Sequence, residues 1–265
     1  MRQALYIAHG GGPMPLLGDK THESLNKVLQ GVAARMPKPD AILVVSAHWE
    51  TDIPHVTTGE KPELIYDYYG FPPESYQITY PAPGEPDLAK ELLGAITAAG
   101  IESVGESERG FDHGLFVPLK IMFPQADIPC VQLSLMNTLD ANAHMKLGKA
   151  LANLDYDNLL ILGSGFSFHN MKAFFSPEDA KADSKNAEFQ NWLEQVCSSE
   201  TLNEEERADK LSHWQQAPFA EFCHPREEHL LPLHVCYGAA GKACDEAITV
   251  TALNKEARMF YWQLN

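Results

Sequence analysis

The sequence predicts a single α/β domain, residues 1–265, with a mostly parallel central sheet flanked by helices and a ligand site at the carboxyl ends of its strands. Three observations predict it. Nearly continuous apolar runs alternate with segments of helical spacing through the first 165 residues, as expected of strands buried on both faces and joined by crossover helices. Several runs end in histidine or in glycine-rich turns, and open α/β sheets bind ligands at strand carboxyl ends. At 265 residues and 45% hydrophobic, the chain can bury a sizeable core as one domain.

Taken in order, the apolar runs predict strands at about 4–9, 41–47, 128–135 and 158–163. The stretch Thr21 to Met36 places Leu25, Val28, Leu29 and Val32 on one face and stops before Pro37, which predicts a helix. Pro86 suits a first helical position and Gly100 a C-terminal cap, bounding a helix over 86–99. Further helices are expected at 141–152, 184–197 and 226–238, the last starting at Pro225. The charged stretch Ser198 to Lys210 reads as a solvated helical excursion. Late strands are expected at 246–253 and 258–264, and Met259-Phe260-Tyr261-Trp262 suits either a core strand or the interface of a homodimer. Two long segments rich in Pro, Gly and Tyr, 59–86 and 105–118, exceed ordinary loop length and are expected to wall the site.

The formal charge of −16 argues against nucleic acid and anionic membrane surfaces as partners, because affinity for both rests on Lys and Arg. No stretch approaches the ~18 apolar residues of a membrane helix. The first apolar run is too short for a signal-peptide core. Five cysteines, odd in number and without a Cys-x-x-Cys pair, read as reduced packing residues and predict a cytoplasmic protein.

Chemistry concentrates on histidine, the commonest metal ligand and the side chain that titrates nearest neutrality. His9 precedes Gly10-Gly11-Gly12-Pro13, a turn that lets backbone approach a ligand or that is simply a surface turn. Neither glycine fingerprint of a nucleotide site is present. His48 closes a buried run, where an imidazole is expensive unless its nitrogens are paired or metallated. Asp112-His113-Gly114 sets a carboxylate beside a ring it can orient, or else forms an Asp-Gly turn. His169-Asn170 follows Gly163-Ser164-Gly165 and suits either a site or a helix-capping loop. In His224-Pro225-Arg226-Glu227-Glu228-His229, a helix beginning at Pro225 sets Glu228 and His229 about 100° apart, so one of them faces the sheet edge. A two-His, one-carboxylate Fe(II) triad then favours Glu227 or Glu228 as third ligand.

Seven motifs in order carry a resemblance: His-Gly-Gly-Gly-Pro, Val-Val-Ser-Ala-His-Trp, Tyr-Pro-Ala-Pro-Gly, Gly-Phe-Asp-His-Gly, Ile-Pro-Cys-Val-Gln-Leu-Ser, Gly-Ser-Gly-Phe-Ser-Phe-His-Asn and Glu-His-Leu-Leu-Pro-Leu. From about residue 5 to 240 the chain resembles the class III extradiol ring-cleavage dioxygenases, LigB-like, in particular the single-chain group related to DOPA 4,5-dioxygenase. The resemblance implies His9, His48 and His229 as metal ligands, with Glu228 in reserve because other branches use a glutamate there. It implies His169 as catalytic base and His113 as a second catalytic histidine contacting substrate or oxygen. Gly11 departs from the serine common in the DOPA group, which leaves the substrate open. The activity implied is Fe(II)-dependent insertion of O2 into a small aromatic diol, giving a ring-opened semialdehyde. Zn(II) can occupy such a site in purified protein, yet as a d¹⁰ ion it cannot supply the redox step. The alternatives on the same fold are a metal-dependent hydrolase and a non-catalytic metal-binding protein.

Overall fold

The computed structural model describes residues 2–176 and 179–264. Its eight strands are β1 (Arg2–Ala8), β2 (Ala41–Thr51), β3 (His55–Thr57), β4 (Val104–Glu106), β5 (Cys130–Met136), β6 (Leu159–Gly165), β7 (Glu246–Ala252) and β8 (Lys255–Leu264). They form one sheet in the order β4-β3-β5-β2-β6-β1-β8-β7. The central four, β5, β2, β6 and β1, are parallel to one another. The β7–β8 hairpin adds antiparallel strands on the far side of β1. The side chains of Ala4 to Ala8, Ala41 to Val45 and Leu159 to Leu162 are all buried, which is why these runs read as continuous rather than alternating.

The helices are α1 (Glu23–Arg35), α2 (Pro86–Ala98), α3 (His113–Met122), α4 (Ala141–Leu151), α5 (Met171–Phe174), α6 (Ala180–Ser198), α7 (Glu204–Ser212), α8 (Ala220–Cys223) and α9 (Leu231–Ala240). Helix α1 buries Leu25, Leu29 and Val32 as its spacing requires, and α2 opens on Pro86 and is followed by Gly100 at φ 74°. The Met259 to Trp262 run lies in β8 with Met259, Phe260 and Trp262 fully buried, so it is core. No helix among the described residues is long and apolar enough to cross a membrane.

Four features depart from expectation. Strands β3 and β4 have three residues each, too few to show a period. Segment 105–118 is not a loop throughout, because α3 begins at His113; the helix is buried on nearly every side and therefore has no polar stripe to announce it. The helix expected over 226–238 begins only at Leu231. Pro232 sits in its first turn, where its missing N–H is harmless, whereas a start at Pro225 would have put it in the interior. Helix α7 is tied down more firmly than a solvated excursion: Asn203 and Glu206 form a capping box, and buried Arg207 donates to the carbonyls of Val196, Ser199 and Leu202.

Candidate metal centre and active-site cavity

His9 leaves the end of β1 and is buried, its N–H donating to Gly165 O on the neighbouring β6 at 3.0 Å. Its Nδ1 lies 3.0 Å from Ser164 Oγ, and that hydroxyl donates its only proton to Gly114 O. Nδ1 must therefore be the donor to Ser164, which leaves Nε2 with a free lone pair. His48 does not end its strand. It sits where the β2–β5 register breaks between Val45 and Glu50, a bulge that re-aims the side chain. Its Nε2 comes within 3.0 Å of His9 Nε2.

The turn before α9 supplies the third ring. His229 O accepts from Phe166 N–H at 3.0 Å and Tyr6 Oη at 2.9 Å, and a Cβ on Gly165 would stand 2.1 Å from that oxygen. Glycine is required there because the turn presses against β6. His229 Nδ1 donates to Glu228 Oε1 at 2.9 Å, again freeing Nε2. Ring centroids of His9, His48 and His229 form a nearly equilateral triangle of 4.8, 5.0 and 5.2 Å. Because the turn is not helical, Glu228 and His229 both reach the site, against the expectation that only one would. Glu227 has no part in it.

Two further histidines border the triangle. His169 stacks on His229 with centroids 3.5 Å apart and Nδ1 3.3 Å from the same Glu228 Oε1. His113 opens α3; its backbone N–H and Nδ1 meet Asp67 Oδ1 at 2.9 and 2.8 Å. Asp67, in the long 59–86 segment, thus orients this ring, while Asp112 turns away to Ser46, Gln132 and Arg109. Behind the centre, Arg226 makes two 2.6 Å hydrogen bonds to Glu50 and lies 3.2 Å from Glu228 Oε2. The possible ligand atoms fall into two groups, His9 with His48 and His113, and His169 with Glu228 and His229, each set within 4.8 Å.

Burial, followed by the neighbouring imidazoles, holds His9 and His48 well below the usual histidine range. Burial and His169 likewise bring His229 down to about 4, against the pull of Glu228. Burial pushes Glu228 up, but hydrogen bonds from His169 and His229 outweigh it and keep it a carboxylate. The result is a set of neutral imidazoles backed by an anion, the state in which histidines bind a cation. An N–metal–N angle of about 90° with bonds of ~2.1 Å sets two nitrogens about 3.0 Å apart, the His9–His48 separation, so this pair of donors suits a divalent ion.

The five rings open onto a cavity of about 700 Å³. Segment 59–86 walls it as expected, through Asp67, Tyr68, Tyr69 and Phe71. Segment 105–118 does so only through His113; Glu106, Glu108, Arg109 and Gly110 line a separate depression beside Trp49. The Leu253-Asn254 hairpin turn, both residues at positive φ, completes the wall.

Residues 3–261 match the family described as the catalytic LigB subunit of aromatic ring-opening dioxygenase. The chain is similar to a 4,5-DOPA dioxygenase extradiol of Portulaca grandiflora, 41% identical over 91% of this chain and 87% of that protein. It is also similar to the dioxygenase tasH of Hapsidospora irregularis, 37% identical over 97% of this chain and 84% of that one. Among solved structures, an uncharacterized protein of Escherichia coli K12 superposes with a TM-score of 0.77 at 28% identity, covering 98% of this chain and 99% of that chain. The sheet, the histidine cluster and these matches agree: the chain belongs to the LigB family of aromatic ring-opening dioxygenases, as an extradiol dioxygenase.

Proposed function

We propose that the protein uses Fe(II), held by His9, His48 and His229, to cleave a catechol beside its two hydroxyls, both atoms of O2 entering a ring-opened semialdehyde acid. The observation that carries this reading is the triangle of three rings, His9 and His229 buried and His48 partly so, the two buried ones with Nδ1 hydrogen-bonded to protein oxygens and Nε2 turned away from those partners. The relatives named 4,5-DOPA dioxygenase extradiol support a dihydroxy-aromatic substrate.

When bound, Fe(II) supplies open coordination positions and a change of oxidation state. His169 accepts a proton from the diol at Nε2, its Nδ1 being engaged by Glu228. His113, held through Nδ1 by Asp67, turns Nε2 towards the developing negative charge. Tyr68 and Phe71 narrow the cavity and exclude water from the reacting ring. We place the protein in the cytoplasm, where its five free cysteines stay reduced.

The test is anaerobic loading with Fe(II), then oxygen admission with a panel of catechols. Oxygen uptake with a yellow semialdehyde product is expected, and Zn(II)-loaded protein should be inactive. Absence of uptake with every catechol in the panel defeats the proposal.

A further inference from the structure

The cavity treats its far end differently from its metal end. Among the described residues lining it there is no lysine or arginine; beyond the imidazoles, the charged groups are Asp19 and Asp67. On the wall formed by the glycine turn, Gly11 N–H already meets His22 Nε2 at 3.0 Å and Thr21 N–H meets Asp19 at 2.9 Å. The rim, by contrast, is apolar and open to water. Tyr69 is 92% exposed, Phe175 80% and Met171 53%, and all three border this one cavity. Exposed large apolar side chains gathered at one mouth mark a surface that a ligand covers.

We propose that the substrate carries an uncharged apolar substituent, alkyl or aryl, seated against Tyr69, Met171 and Phe175, and that a carboxylate on the same arm is rejected. The proposal rests on the catechol reading above and names its substrate class more narrowly. A carboxylate at this position would give up water and find no lysine or arginine among the described residues that line the cavity. An alkyl arm gains about fourfold in affinity for each CH2 removed from water.

The decisive measurement is equilibrium binding to Zn(II)-loaded protein, in which no turnover occurs. Under anaerobic conditions, calorimetric titration compares 4-propylcatechol with 3-(3,4-dihydroxyphenyl)propanoate, two ligands that share the diol and the arm. We expect 4-propylcatechol to bind on the order of tenfold tighter or more. Met171→Lys should shift the ratio towards the propanoate, and Phe175→Ser should weaken 4-propylcatechol more than the propanoate. Equal or tighter binding of the propanoate by the unsubstituted protein overturns the proposal, as does failure of 4-propylcatechol to bind. Because this ratio needs no oxygen chemistry, it decides the substituent even if Fe(II)-loaded protein consumes no oxygen, an outcome that would count against the dioxygenase mechanism instead.

Discussion

Glu228→Gln separates a metal ligand from a group that aims one. In the structure Glu228 Oε1 lies 2.9 Å from His229 Nδ1 and 3.3 Å from His169 Nδ1, so one oxygen sets the orientation of two rings. The amide keeps the shape and one acceptor but removes the charge, and its NH2 group competes for the place beside Arg226, now 3.2 Å from Oε2. Loss of such a carboxylate behind a ligating histidine costs about 10–100-fold in metal affinity, which is about 1.4–2.7 kcal/mol. A first-coordination role would instead abolish tight binding. Competition of a chromogenic chelator against apo protein at pH 7.5 reads the difference directly. Expected is a measurable site of one equivalent, weakened by one to two decades, beside a His229→Ala variant with most metal lost. Outright loss of metal by Glu228→Gln, or full affinity in His229→Ala, would exchange the two roles and make Glu228 the ligand.

His9→Ala and His48→Ala should each strip most bound metal while leaving the circular-dichroism spectrum native, since both side chains lie at the edge of the core; retention of one equivalent by either would remove that residue from the ligand set. His113→Gln and His169→Gln should keep their metal and lower turnover by ~10²–10⁴-fold, measured as oxygen uptake, and near-native turnover in both would end their acid–base assignment. Burial brings His224 down to about 3, so the folded state stays neutral while the unfolded chain takes a proton below about 6.5. Stability therefore falls as pH drops from 6.5 towards 3, and His224→Phe, packed between Phe189 and Trp214, should flatten that fall by up to about 1.4 kcal/mol per pH unit in urea titrations. A slope equal to that of the unsubstituted protein would contradict it.

The parallel strands were legible because burial on both faces leaves a continuous apolar run that no other element of that length requires. His9 and His48 were legible for the same reason, each interrupting or ending such a run. Asp67 left no signal: it lies within Tyr66-Asp67-Tyr68-Tyr69, and its partner His113 is 46 residues away. Only tertiary packing brings the two together. Ser164 was readable in principle, since a hydroxyl inside a fully buried strand must find partners, and those partners are His9 and Gly114. The late start of α9 was also readable from Pro232, but Pro225 offered an equally good helix start. A helix starting at Pro225 would make Glu228 and His229 rivals for one position, whereas the turn admits both.

The sheet order has a consequence for how the chain comes to bind metal at all. His9 and His48 lie only 39 residues apart, yet their strands are not neighbours, because β6 inserts between β1 and β2. A chain ending before residue 159 has no strand to hold them at ligand spacing, and His229 enters later still. With the ligand set proposed above, metal capture would be coupled to completion of the sheet centre rather than to any local hairpin or helix. With that set, the first two histidines of a growing chain lack both the strand between them and the third ligand, and a bound ion would report that residues far apart in sequence have found one another.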